Sequence, residues 1–166
     1  TKSNIIFLSE NLVDANRIDS LRVDIKYDWC FMVDRMGRGR GLAVFWKNLE
    51  LVSLLGYSNN HMDMSVVGVD KFKWRFTCFY GFPERHKRRE SWNLLRALSC
   101  RSTLPWVCIG DYNDLLWGFI LGFREAIMDC KSRDLPLIGY PYTWGKGCGT
   151  NIWVYERLDR AMCMDN

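Results

Sequence analysis

The chain has 166 residues, 48% of them hydrophobic and 25% charged, proportions that exclude a disordered tail and a membrane-embedded protein and describe one ordinary globular domain. No stretch approaches the roughly 20 uninterrupted apolar residues of a spanning helix, and Thr1 to Asn4 lead straight into an apolar run with no signal-peptide pattern. Lys and Arg number 23 against 19 Asp and Glu, and the resulting charge of +4 permits a polyanionic partner without demanding one.

In chain order, Asn4 to Leu8 is a continuous apolar run, the pattern of a strand buried on both faces and ending at Ser9-Glu10. Val13, Ile18, Leu21 and Ile25 recur at near-helical spacing with Asp14, Arg17, Asp19 and Arg22 opposite them, which predicts an amphipathic helix. Phe31 to Val33, Leu42 to Trp46, Leu49 to Leu55 and Met62 to Val69 follow as strands, and connections such as Asn59-Asn60 predict antiparallel pairing. Gly37 to Gly41 looks like a phosphate-cradling loop, but a strand follows it and no helix N-terminus, so it reads as a basic hairpin turn.

Lys73 to Tyr80 predicts a strand with Trp74, Phe76, Cys78 and Tyr80 on one face, stopped by Gly81-Phe82-Pro83. Arg88 to Ser99 predicts a helix that buries Trp92, Leu95 and Leu98. Pro105 to Ile109 is another buried strand, and Phe119, Phe123, Ile127 and Cys130 mark a third helix. The last expected strand runs from Ile152 to Leu158, with Asp159 closing it. Helices spaced through a majority of strands predict a mixed α/β fold in a single domain over residues 1–166.

Seven cysteines form an odd set without a CxxC pair, and Cys78, Cys108 and Cys130 sit inside apolar segments. That pattern reads as reduced, structural cysteine and predicts a reducing compartment, nuclear or cytoplasmic.

The chemistry-bearing residues share one position, the end of an apolar strand: Glu10, Tyr80, Asp111 with Asn113, and Asp159. Strand ends are where side chains converge on a crevice while the sheet holds them rigid. Two or three carboxylates with an Asn suit a hard divalent cation with oxygen ligands. Each residue also has a plainer reading: Glu10 as a helix-start acid, Gly110 to Asn113 as a turn, Tyr80 as a core aromatic, Arg157 and Asp159 as a surface ion pair. His61 in a turn and His86 in a charged run both read as solvated. The run Arg85 to Arg89 reads either as a solvated helix entry or as a DNA contact.

Leu8-Ser9-Glu10, Phe79 to Pro83, Ile109 to Asn113, Tyr142-Thr143-Trp144 and Arg157 to Arg160, taken in that order, resemble the endonuclease/exonuclease/phosphatase superfamily, whose fold is that of deoxyribonuclease I and the apurinic/apyrimidinic endonucleases. Tyr57 to Asp63, Trp74 to Thr77, Glu90 to Leu95 and Glu156 to Ala161 look closest to the endonuclease domain of plant LINE-type non-LTR retrotransposons. The resemblance implies a DNase-I-like α/β sandwich of two mostly antiparallel sheets flanked by helices, incomplete at both ends.

It implies Mg²⁺- or Mn²⁺-dependent hydrolysis of DNA phosphodiesters, with no small-molecule cofactor and no membrane partner. By that resemblance, Glu10 and Asp111 bind metal, Tyr80 contacts the scissile phosphate, and Asp111 orients or deprotonates the attacking water. Asn113 holds that water and the phosphate, and Asp159 orients a histidine further along. It also implies that Thr143, with Trp144 beside it, faces DNA and that an intact element carries a reverse transcriptase downstream; Arg85 and Arg88 join the expected DNA contacts through their charge and their place after Tyr80 and Pro83.

Neither the family's opening strand with its Asn nor its closing Ser-Asp-His motif occurs in these 166 residues, and Asn11-Leu12 stands where Thr-Lys is usual. Trp117-Gly118 is also a shorter spacer than the relatives have. The expectation is therefore a degenerate copy with little or no activity, or a catalytically dead remnant acting at most as a weak nucleic-acid-binding module. An inositol or sphingolipid phosphodiester is the remaining substrate reading, disfavoured by the aromatic and basic content near Tyr80.

Overall fold

A computed structural model describes residues 4–11, 15–34, 41–47, 52–68, 70–114, 121–136, 138–146 and 154–164. The turn at Gly37 to Arg40, the Trp117-Gly118 spacer, Phe119 and Cys148 lie outside them. The chain divides into two compact units, Thr1–Tyr80 and Gly81–Asn166.

In the first unit, β1 (Ile5–Asn11), β3 (Gly41–Trp46) and β2 (Trp29–Val33) form an antiparallel sheet in the order β1-β3-β2, with α1 (Ala15–Asp24) between β1 and β2 in sequence. The central strand shows why its run is apolar throughout. Ala43 and Phe45 join Ile18 of α1 and Tyr27 in one buried cluster. Val44 and Trp46, on the opposite face, line an apolar pocket with Val52, Met64, Val66 and Phe76. Both faces of β3 are covered, so neither carries a polar alternation. β1 is only half-buried along its length, less than its unbroken apolar run predicts, because it is the sheet's edge.

The same unit holds an antiparallel meander of β4 (Val52–Ser58), β5 (His61–Val67) and β6 (Lys73–Tyr80). Met62, Met64 and Val66 on β5 stand opposite Cys78, Phe76 and Trp74. Asp63 stands opposite Thr77, and this second face is also buried, with Asp63, Arg75 and Thr77 each at most 1% exposed. Arg75 donates to both Asp63 oxygens at 2.8 Å and Thr77 Oγ1 donates to one at 2.7 Å, so the buried carboxylate is fully hydrogen-bonded.

The second unit opens with a 3-10 turn (Arg85–Lys87) and α2 (Arg88–Ser99), followed by β7 (Trp106–Asp111), α3 (Leu121–Asp129) and β8 (Ser132–Asp134). β9 (Trp144–Lys146) pairs with β10 (Val154–Glu156), and β11 (Asp159–Met164) pairs antiparallel with both β7 and β8. Helix α3 packs on α2 at Gly122, where a Cβ would lie 2.1 Å from the Trp92 ring. Tyr112 and Phe123 meet with ring centroids 5.7 Å apart.

Two expectations change here. The final strand, expected from Ile152 to Leu158, stops at Glu156, its first two expected residues lying outside the described ones. The chain leaves its pairing after Glu156, and Asp159 opens β11. The break has a local cause: Thr143 Oγ1 accepts hydrogen bonds from the Leu158 and Asp159 N–H groups, both at 3.0 Å. His61 is not solvated: it begins β5, is 4% exposed and hydrogen-bonds Ser58 Oγ at 2.8 Å. The six described cysteines are unbridged, with Cys78, Cys108 and Cys130 buried.

Candidate catalytic site

The predicted residues fall into two groups, Glu10 and Tyr80 in the first unit and the remainder in the second. Glu10 lies where the register of β1 shifts between Leu8 and Asn11, with a backbone φ of 58°. A bulge at that point re-aims a side chain out of strand alternation. Among the described residues of this unit, the other non-glycine residues with positive φ, Lys26 and Lys71, lie in turns, whereas Glu10 is held inside a ladder. Its carboxylate accepts a 2.7 Å hydrogen bond from Tyr80 Oη. Tyr80 is a buried aromatic whose hydroxyl ends on the predicted metal-binding glutamate.

Asn60 fixes the end of β6 in turn. Its Nδ2 donates to the Tyr80 carbonyl at 2.8 Å, and the Tyr80 N–H donates to the Asn60 carbonyl at 2.8 Å. The sequence marks Asn60 as a turn residue within the Tyr57–Asp63 stretch and gives it no role at Tyr80. The turn-plus-strand spacing that sets it beside Tyr80 is a property of register.

In the second unit, the antiparallel pairing of β7 and β11 puts Asp159 directly opposite Asp111. A residue that starts one strand and a residue that ends its antiparallel neighbour lie at the same sheet edge. Burial is the main cause that pushes the Asp111 carboxyl up to about 6, and the Asp159 charge adds to it, while the Asn113 N–H opposes it. That N–H donates to Asp111 Oδ1 at 2.8 Å. Asn113 adopts φ 50°, a conformation Asn tolerates better than other side chains. Its Nδ2 donates to the Gly81 carbonyl at 2.8 Å.

Gly81 is a residue that composition alone does not mark. Its N–H donates to the Asp111 carbonyl at 2.7 Å, and a Cβ there would sit 2.3 Å from the Tyr112 carbonyl oxygen. Only glycine permits this approach. Tyr112, between Asp111 and Asn113, is buried, and its hydroxyl donates to the Cys108 carbonyl at 3.1 Å. Burial raises that phenol well above its ordinary range. The Gly110–Asn113 segment is therefore a tightly hydrogen-bonded turn that holds the predicted site residues Asp111 and Asn113 in place.

The remaining residues divide. Thr143 is exposed and ties the β9–β10 hairpin to Asp159; Trp144 is 42% exposed. Arg157 does not pair with Asp159. Its Nη2 donates to Asp134 Oδ1 at 3.1 Å, and Arg160 Nη1 donates to Asp134 Oδ2 at 2.9 Å. Arg88 faces Asp114 at 3.6 Å, whose other oxygen accepts from Trp92 Nε1 at 2.9 Å. Arg85 is exposed.

Among the described residues, no three His, Cys, Asp or Glu side chains gather into one metal-holding group. One or two carboxylates suffice for Mg²⁺, which keeps several waters and shares phosphate oxygens. Asp111 fits that donor set: it faces a second carboxylate and has no ion pair among the described residues.

No protein-family model and no curated protein matches the sequence. Solved structures do. The endonuclease domain of TRAS1, a telomere-specific non-LTR retrotransposon, aligns over 98% of this chain and 86% of its own, at 11% identity and a TM-score of 0.60. An endonuclease/exonuclease/phosphatase family protein from Leptotrichia buccalis aligns over 98% and 76%, at 14% identity and 0.66. The fold is DNase-I-like. Among the described residues, three α-helices and a majority of strands make it up, as the strand-rich pattern predicts. D. rerio TDP2, in complex with a single-strand DNA product, aligns over 98% and 71%, at 12% identity and 0.64.

Proposed function

We propose that this chain is a degenerate endonuclease domain of a LINE-type retrotransposon of the plant kind, built for divalent-metal-dependent hydrolysis of a DNA phosphodiester and retaining little of that activity. The observation that carries the reading is Asp111: a half-buried carboxylate at a strand end, pushed up to about 6, faced by Asp159 and braced by Asn113. A base titrating near the working pH is suited to taking a proton from water. The Asn113 amide, anchored through Nδ2 on Gly81, offers its oxygen to orient that water. In the first unit, Tyr80 holds Glu10. A divalent ion held at Asp111 would supply neutralisation of phosphoryl charge. The TRAS1 domain and the DNA complex of TDP2 support a nucleic-acid substrate, as do the exposed Arg85 and Trp144. Free cysteines suit a reducing compartment, nuclear or cytoplasmic.

The test is relaxation of supercoiled plasmid with Mg²⁺. Nicking is expected to stop with chelator and to fall on the order of 100-fold or more in Asp111→Ala, with a comparable loss in Glu10→Ala. Equal nicking by all three proteins would trace the activity to a contaminant and overturn the reading.

A second reading, a catalytically dead module that binds nucleic acid weakly, is favoured by one observation. Asp159 has no histidine beside it among the described residues of its unit, where His86 lies in the 3-10 turn. Plasmid binding without any relaxation would select this reading.

A further inference from the structure

We propose that Tyr140, Tyr142 and Tyr155 form a platform on which unpaired nucleobases stack, next to the Asp111–Asp159 pair. The three rings are 66%, 45% and 42% exposed, yet they are gathered. Tyr142 and Tyr155 stack with centroids 5.6 Å apart and planes 30° from parallel. Tyr140 stands nearly edge-on to both, 5.7 Å from Tyr142 and 6.3 Å from Tyr155.

Such contacts hold a two-stranded hairpin together, because aromatic pairs are worth about 0.5–1.5 kcal/mol each and isolated hairpins are marginal. That role does not account for the outward area. Three partly exposed aromatic rings offer about 300 Å², well short of the roughly 800 Å² per partner of a stable protein interface. The patch matches small planar rings.

Placement selects nucleobases. Thr143, between Tyr142 and Trp144, accepts the Asp159 N–H, and Tyr155 is four residues from Asp159, no more than about 14 Å of extended chain. A strand whose phosphate lies at Asp111 passes within reach of the rings. Every base has a π-face, so the contact is tolerant of sequence. The proposal rests on the hydrolase reading above for the nature of the polymer.

Fluorescence anisotropy in chelator, where nothing is cut, tests it with three labelled probes: a short single strand of mixed sequence, the same strand as a duplex, and an abasic strand of equal length. The single strand is expected to bind more tightly than the other two. Tyr140→Ala and Tyr155→Ala are each expected to weaken it about 5- to 150-fold, from a stacking worth of about 1–3 kcal/mol per base. Abasic binding should not change, and Tyr155→Phe should bind as the parent does. DNA and RNA strands serve as separate arms, because both present the same bases.

Equal affinity for base-bearing and abasic strands, alanine variants that bind as the parent does, or alanine variants that lose abasic binding equally would each overturn the platform. So would a parent chain that binds no strand. Stacking without plasmid relaxation would leave the platform standing and remove the hydrolase reading.

Discussion

Two aspartates in one chain show what burial does with and without compensation. Asp63, in the first unit, is 1% exposed and receives two hydrogen bonds from Arg75 and one from Thr77. Asp111, in the second, is only half-buried, accepts one backbone N–H, and stands opposite another carboxylate. The deeper aspartate is the satisfied one. A charge enclosed with its counter-charge is architecture, whereas a charge held near a like charge awaits something positive.

The comparison is broken most severely at Arg75. Arg75→Met removes the counter-charge and leaves Asp63 buried and uncompensated, for an expected loss of about 3–5 kcal/mol of stability, read by urea denaturation. A loss below about 1 kcal/mol would mean that Asp63 is not held by Arg75 in solution.

Glu10 is a third acid, held by the Tyr80 phenol. Tyr80→Phe removes the 2.7 Å charge-assisted bond and is expected to cost about 1.5 kcal/mol, with weaker Mn²⁺ binding by titration calorimetry. Unchanged stability and unchanged Mn²⁺ affinity would show that Tyr80 does not hold Glu10.

The smallest effect carries the opposite sign. The folded Asp111 carboxyl titrates near 6, above its ordinary 3.8, so the native state binds its proton more readily than the unfolded chain does. Ionised Asp111 therefore costs stability above about pH 6. The cost shrinks as pH falls from 6 towards 3.8 and is gone below that. Asp111→Asn keeps an acceptor for the Asn113 N–H and is expected to stabilise the chain by about 1 kcal/mol at pH 7.5, after discounting for solvent screening. Near pH 3.5 the variant and the parent should melt together in chelator. A variant less stable at pH 7.5 would show that Asp111 is compensated as Asp63 is.

Much of the architecture was legible in residue periodicity. Lys73–Tyr80 and Arg88–Ser99 form the predicted strand and helix to the residue, because both are bounded by strong local signals, Gly81-Phe82-Pro83 and a charged entry. The strand ends that carry Tyr80 and Asp111 were readable for the same reason. The Ser132–Asp134 strand was not, since three polar residues carry no period and are ordered by pairing with β11. The burial of His61 was not either: a turn-flanking histidine looks solvated until both faces of β5 are covered.

What the sequence alone determined is the set of strand-end side chains and the order in which they occur, because alternation and breakers act over a few residues. What only tertiary structure decided is which of them meet. Asp159 was expected to close a strand and instead opens one, and the antiparallel register of β11 on β7 then brings it to Asp111 across 48 positions of chain. Likewise Tyr80 reaches Glu10 across 70 positions through a bulge that no local pattern announces. Local preferences settle over one or two turns of chain. Register and carboxylate pairing are settled only when distant strands close and water leaves the space between them.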